Sequence, residues 1–222
     1  MKRSLINRCI REAEELFDKL NFKLPKFASY SPEQLRAAFK NAPEIYDCKL
    51  GWDITDFGSN DYFNKGLFLF TIRNGVIHSD KYPKCYAEKI MISRSEQHCV
   101  MHCHELKRED IINRGGGNLC FRLFNRKGTA NALDDTPVNV VRDGEIITVK
   151  PGELIVTTPG ESLTLTPNLY HEFFAEKGST VMIGEVSAVN DDVTDNVFLD
   201  KLPRFPAVEE DEAPYRLVVA DY

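Results

Sequence analysis

At 222 residues, 42% hydrophobic and 10% aromatic, the chain has a globular composition and enough length to bury a sizeable core. A formal net charge of -6 argues against general nucleic-acid binding, which needs a basic face. No apolar run approaches a membrane span, and Arg3, Arg8, Arg11 and Glu12 replace the apolar core of a signal peptide, so a cytoplasmic protein is expected. Its six cysteines have no Cys-x-x-Cys spacing and read as free thiols packed as small hydrophobes.

Residues 4–20 place Leu5, Ile6, Cys9, Ile10, Ala13, Leu16, Phe17 and Leu20 three and four apart, the pattern of a helix laid across a sheet. Pro25 ends that stretch. Ser31-Pro32-Glu33-Gln34 then gives a helix start with a serine cap and a proline in the first turn, and the helix is predicted to run to about Lys40. From Tyr46 the period changes to that of strands. Residues 53–58 read as a strand ending in a turn, and residues 66–73 as a strand leading into Asn74-Gly75. That dipeptide predicts a hairpin with Val76-Ile77-His78 as the return strand. Further strands are expected at 86–92, 98–104, 119–124, 138–141, 145–149, 154–156, 163–165 and 180–186. Residues 203–214, with the acidic run Glu209-Glu210-Asp211-Glu212, read as a solvated excursion before a last strand at Leu217-Val218-Val219. Many short strands after a helical segment indicate an antiparallel sandwich or barrel. No composition shift calls for a domain cut, so one domain is expected over 1–222, with a helical lead-in (1–45), a barrel (46–200) and a C-terminal extension (201–222).

The densest chemistry lies in residues 101–109, with His102, His104, Glu105, Lys107, Arg108 and Glu109. On a strand, His102 and His104 point the same way, and a turn through 105–108 brings the Glu109 carboxylate round to them. A His-x-His pair alone is common on surface strands without a metal. The full spacing His-x-His-x4-Glu, followed by Gly115-Gly116-Gly117, favours a divalent metal site with open positions. His171 is the only histidine C-terminal to this stretch and the candidate fourth ligand. Cys103 should face away, and His98 lies roughly 13 Å along the strand from His102, beyond the reach of one ion. His78 is likewise read as a non-ligand.

The pattern His102-x-His104-x4-Glu109-x6-Gly116, followed by His171, resembles the two metal motifs of the cupin superfamily, though Pro167-x3-His171 lacks the usual glycine. Tyr86-Ala87-Glu88-Lys89, residues 107–118, Pro159-Gly160-Glu161-Ser162 and Gly184-Glu185-Val186-Ser187, with Val189-Asn190-Asp191-Asp192 and Asp195-Asn196 beyond, are similar to bacterial D-lyxose ketol-isomerases over essentially the whole chain. The resemblance implies a mainly β fold, a cupin double-stranded β-helix (jelly-roll barrel) with N-terminal helices packed outside. It also implies Mn2+, a monosaccharide substrate and a homodimer, with interconversion of D-lyxose and D-xylulose and of D-mannose and D-fructose.

Such an isomerisation moves a proton between C1 and C2, for which a carboxylate on one face of the sugar is needed. Glu185, after an apolar strand and in the matched block, is the candidate base; a metal would tie up the lone pairs of Glu109. Lys107 and Lys89 can donate to sugar oxygens, and Lys89, bracketed by Ala87 and Met91, should point inward. On the resemblance, Asp195 would hold distal hydroxyls. Phe198 and Tyr170 could wall the pocket, although core packing competes for both. The same ligand set also suits a cupin Fe(II) dioxygenase or a phosphosugar isomerase, and a non-catalytic sugar-binding cupin would need no Glu185.

Overall fold

The N-terminal apolar repeat forms α1 (Arg3–Lys19) in the computed structural model, which describes residues 1–191, 194–200, 202 and 207–222. Its buried Ile6, Ile10, Ala13 and Phe17 pack against Trp52, Ile54, Phe68, Phe70, Ile90 and Ile92 on the outer face of a large sheet. Burying each large side chain contributes about 1.5–3 kcal/mol. The second helix, α2 (Pro32–Ala38), starts as its sequence dictates: Gln34 N donates to the Ser31 hydroxyl (3.2 Å), and Ser31 N donates to the Gln34 side chain (2.9 Å). A short α3 (Pro43–Asp47) follows, which the sequence reading did not anticipate.

The strands are β1 (Gly51–Thr55), β2 (Leu67–Arg73), β3 (Tyr86–Arg94), β4 (Cys99–His104), β5 (Glu109–Gly115), β6 (Leu119–Arg126), β7 (Leu133–Asp134), β8 (Val138–Arg142), β9 (Glu145–Val149), β10 (Ile155–Thr157), β11 (Ser162–Leu165), β12 (Leu169–Ala175), β13 (Thr180–Ala188) and β14 (Asn196–Phe198). They form an eight-stranded sheet, β1-β2-β3-β13-β5-β11-β8-β9, and a smaller one, β10-β6-β12-β4-β14, with β7 on β6. The two enclose a core that includes Leu69, Met91, Ile111, Phe121, Leu163, Phe173 and Ile183. This is the expected mainly β, antiparallel barrel with its helices outside. Between β5 and β6 the chain turns at Gly116 (φ +100°), where a Cβ would strike the carbonyl oxygen of Thr180, so the turn requires glycine.

Three local expectations fail, each overridden by tertiary contacts. Residues 76–78 form no return strand: β2 pairs with β3, and residues 74–85 cross to it as a loop. There the Asn74 side chain donates to Asn190 O (3.1 Å) instead of shaping a two-residue turn, and Lys81 and Lys84 pair with Asp47 and Glu44 of α3. The acidic run is not merely a solvated face. Glu210 pairs with the buried Arg3, Asp211 accepts from Ser4 N (2.9 Å), and Asn7 Nδ2 donates to Glu212 (2.5 Å). At the C-terminus, Val218 makes one bridge to Trp52 before a 3-10 turn at Val219–Asp221, in place of a strand. The earlier part of the expected excursion, 203–206, lies outside the described residues, as does Asp192.

Candidate active site and metal centre

Strand alternation puts His102 and His104 of β4 on the inner face, and pairing of β12 with β4 sets His171 opposite His102. The His102 and His171 rings approach to 4.2 Å between centroids, and His102 and His104 to 5.1 Å. His102 Nδ1 lies 2.8 Å from Val100 O and His171 Nδ1 2.9 Å from Leu169 O, so each donates from Nδ1 and turns the Nε2 lone pair inward. One ligand nitrogen from each of the three imidazoles lies within 4.8 Å of the others. The turn at 105–108 then delivers Glu109, the first residue of β5. Its Oε1 is 3.3 Å from His104 Nε2 and 3.2 Å from His171 Nε2.

His104 Nδ1, His104 Nε2 and His171 Nε2 are buried without a hydrogen-bond partner among the described residues. Orphaned buried nitrogens are costly unless something outside the chain satisfies them. Three convergent imidazoles and one carboxylate are a donor set for a divalent transition ion, so the residues fit the metal that the motif suggests. Burial, reinforced by the neighbouring imidazoles, pushes the His102 pKa well below the usual imidazole range. Burial and the Lys107 charge lower that of His104. Both are therefore neutral at pH 7, with lone pairs free to coordinate.

Beside this centre stands a buried ion cluster. Lys89 of β3 and Glu185 of β13 are in direct register, and Ser187 is paired with Glu109 across β13 and β5. Lys107 Nζ contacts Glu109 Oε2 at 2.8 Å and Glu185 Oε1 at 3.1 Å. Lys89 Nζ lies 3.1 Å from Glu185 Oε1 and 3.5 Å from Oε2, and the Ser187 hydroxyl donates to Oε1 at 3.2 Å. Glu185 is 4% exposed, and burial alone would raise its pKa. The Lys107 and Lys89 charges overcome that and leave it lowered, so it is a carboxylate at neutral pH. In Glu109, burial is likewise outweighed by Lys107 and His104, which hold its pKa well below the carboxylate range.

The other predicted residues divide. The Phe198 ring lies 5.8 Å from His102 and 5.7 Å from Phe57, on the wall of the centre. Asp195 is buried behind the 105–108 turn: its oxygens accept from Leu106 N (2.7 Å) and Lys107 N (3.0 Å), and Oδ2 is 3.9 Å from His104 Nδ1. Tyr170 faces the opposite side of its strand from His171 and bonds Asn131. Cys103 turns from the metal centre toward Tyr170, and His98 stacks on Phe174 at 4.2 Å.

The sequence reading missed Asn190. Its Oδ1 accepts from Lys89 Nζ (2.6 Å) and Lys107 Nζ (3.3 Å). It lay within the matched block Val189-Asn190-Asp191-Asp192, but as one of a polar run after an apolar strand it was given no role.

The barrel with its histidine-lined interior is a cupin-type fold. An L-ribose isomerase variant from Acinetobacter sp. DL28, solved with L-ribose, matches it with a TM-score of 0.62 at 13% identity, covering 94% of this chain and 98% of the other. L-ribose isomerase of Geodermatophilus obscurus matches with a TM-score of 0.61 at 15% identity, with the same coverage. Those identities speak for the fold. Sequence speaks for more: residues 1–222 match the D-lyxose isomerase family. The chain is 46% identical to a D-lyxose/D-mannose isomerase of Serratia proteamaculans, covering 100% of this chain and 98% of the relative. It is 47% identical to one of Escherichia coli O157:H7, covering 100% and 97%. The chain belongs to the D-lyxose isomerase family and is a sugar isomerase.

Proposed function

We propose that this enzyme interconverts D-lyxose with D-xylulose and D-mannose with D-fructose, using a divalent metal, Mn2+ foremost. The relatives' names support both sugars. The two aldoses share their configuration at C2, C3 and C4, so a pocket that reads those carbons accepts either. The observation that carries the reading is the hydrogen-bond inventory of Glu185. Lys107 and Ser187 donate to Oε1, which Lys89 also ion-pairs at 3.1 Å, while Oε2 takes only a long hydrogen bond from Lys89 (3.5 Å) among the described residues.

His102, His104, Glu109 and His171 would hold the ion, which when bound supplies Lewis acidity toward the substrate carbonyl. Glu185 Oε2 takes the proton from C2 of the aldose and returns it to C1, while the O2 hydroxyl proton passes to O1. Lys107 and Lys89 steady the Glu185 carboxylate and offer N–H donors to the negative charge that develops on the sugar oxygens. Asp195 fixes the turn that carries Lys107 and leads into Glu109, a positioning role different from the distal-hydroxyl contact first expected. Phe198, with Phe57 and Leu67, walls the site, whose cavity of about 40 Å3 has room for a few waters and is too small for a monosaccharide. Sugar entry therefore requires that wall to shift.

The whole-length family match supports a single catalytic unit over 1–222. The six cysteines are all free, which suits the reducing cytoplasm. Ile146, 72% exposed on the edge strand β9, supports a homodimer paired through a sheet edge. The test is direct. Metal-stripped protein is incubated anaerobically with D-lyxose or D-mannose, with and without Mn2+, and scored for ketose. Ketose only with the ion is expected. No ketose with any divalent ion, from folded protein, would overturn the reading; O2 consumption with iron would point to the dioxygenase instead.

A further inference from the structure

Asn190 lies two residues beyond β13 and does not touch the metal ligands. We propose that it is a positioning residue, which takes the short hydrogen bond of Lys89 and a share of Lys107, and so leaves Glu185 Oε2 with only a long hydrogen bond and able to carry the proton. The inference rests on Glu185 being the base.

A lysine ammonium has three N–H donors and seeks an acceptor for each. Lys107 finds Glu109 Oε2, Glu185 Oε1 and Asn190 Oδ1. Lys89 has Glu185 and Asn190, with the shorter contact, 2.6 Å, to Asn190. Its ammonium already stands 3.5 Å from Glu185 Oε2. Without the Asn190 carbonyl, the Glu185 carboxylate is the acceptor left to Lys89, and the long hydrogen bond to Oε2 would shorten onto the oxygen that must carry the proton. One carboxamide thus binds both lysines and draws them away from the working oxygen.

Asn190 is itself held from behind. Asn190 N donates to Asn74 Oδ1 (3.0 Å), and Asn74 Nδ2 donates to Asn190 O (3.1 Å), a two-point clamp on the Asn190 backbone. Asn74 is 5% exposed, at the end of β2. The clamp matters because Asn190 also borders a cavity of about 610 Å3, so packing does not wedge it in place. Asn74 thus supports the active site through Asn190, and the hairpin return strand that Asn74-Gly75 suggests does not form.

The experiment compares wild type, Asn190→Leu, Asn190→Asp and Asn74→Asp with Mn2+ bound, using D-mannose and its C2-deuterated form. Asn190→Leu is nearly isosteric, has the cavity to expand into, and lacks the acceptor. It is expected to lower kcat about 10- to 100-fold, the worth of a hydrogen bond to a charged group, with KM and bound metal little changed. Its deuterium isotope effect should rise, because proton transfer becomes slower. Asn190→Asp keeps an oxygen facing the lysines and should recover most of the lost kcat. Asn74→Asp loses the donor to Asn190 O and should shift kcat and isotope effect the same way, by less. It also serves as the measurement if Asn190→Leu fails to fold. A kcat and isotope effect at the wild-type level in both Asn190→Leu and Asn74→Asp would overturn the proposal, as would a loss of activity that tracks only the folded fraction. Failure of wild type to form ketose would instead reject the isomerase reading itself.

Discussion

Arg3 and Lys107 are both buried cations, 2% and 4% exposed, yet the clusters around them are built on opposite terms. Arg3 forks onto two carboxylates. Its Nε and Nη2 meet Glu210 at 2.9 and 2.6 Å, and Nη1 and Nη2 meet Asp221 at 3.0 and 2.7 Å. Every guanidinium nitrogen has a partner in this bidentate geometry, and the pairing fastens the C-terminal residues to the first turn of α1. Around Lys107 the inventory among the described residues is incomplete: three imidazole nitrogens have no hydrogen-bond partner there and Glu185 has one lightly bonded oxygen. Both clusters bury charge at a cost. The first is satisfied within the chain and only joins two ends of it. The second leaves open the atoms a metal and a sugar would engage. Incomplete satisfaction, rather than buried charge, separates the working site from the clasp.

The largest test of that contrast is Glu185→Gln. Removing a general base costs about 10^2- to 10^4-fold in rate, and with the ligand set untouched, Mn2+ should still bind, as read by calorimetry. Unchanged turnover would remove Glu185 from the mechanism. At the clasp, Arg3→Met should leave kcat per folded molecule as it was and lower stability by about 2 kcal/mol in urea unfolding, the scale of charged hydrogen bonds lost at a buried site. A fall in kcat would mean that the clasp reaches the active site after all.

For each group and pH unit the effect is smaller still, and it sharpens the contrast by acid. His102 and His104 have lowered pKa values in the folded chain, so below about 6.5 the unfolded chain takes up protons that the folded one refuses. The stability of the metal-free protein should therefore fall as pH drops through 6.5, by at most about 1.4 kcal/mol per pH unit for each group. Glu109 and Glu185, also lowered, extend the loss below about 4.5. Thermal midpoints from pH 8 to 5 would show it. A flat profile would mean that these imidazoles are not held neutral by the fold. Added Mn2+ should raise the midpoint at pH 7.5 more than at pH 5, since protons compete for the same lone pairs.

How far the site could be read beforehand depended on sequence distance. His102 and His104 followed from strand alternation, and Glu109 from a four-residue turn, because all three lie within eight residues on one local geometry. Lys89 was legible as a lysine between apolar inward neighbours. Asp195 was named, but its backbone partners were not: they lie 88 and 89 residues away, at Lys107 N and Leu106 N. Asn190 carries no periodicity, and its lysine partners come from two other segments of the chain. The acidic run at 209–212 reads as solvated by composition alone, since nothing nearby shows that Arg3 will fold onto it.

The sequence by itself determined the alternation that builds the barrel, the amphipathic face of α1 and the convergence of three metal-ligand candidates, all products of short-range backbone geometry. Tertiary structure decided what those groups can do. Register between β3, β13 and β5 brings Lys89, Glu185 and the Lys107–Glu109 pair together, and the contact of residue 74 with residue 190 sets the acceptor that holds the lysines. Charge and hydrogen bonding act over a few ångströms in space, whatever the separation along the chain, so only the folded protein shows which oxygen of Glu185 is the more lightly bonded.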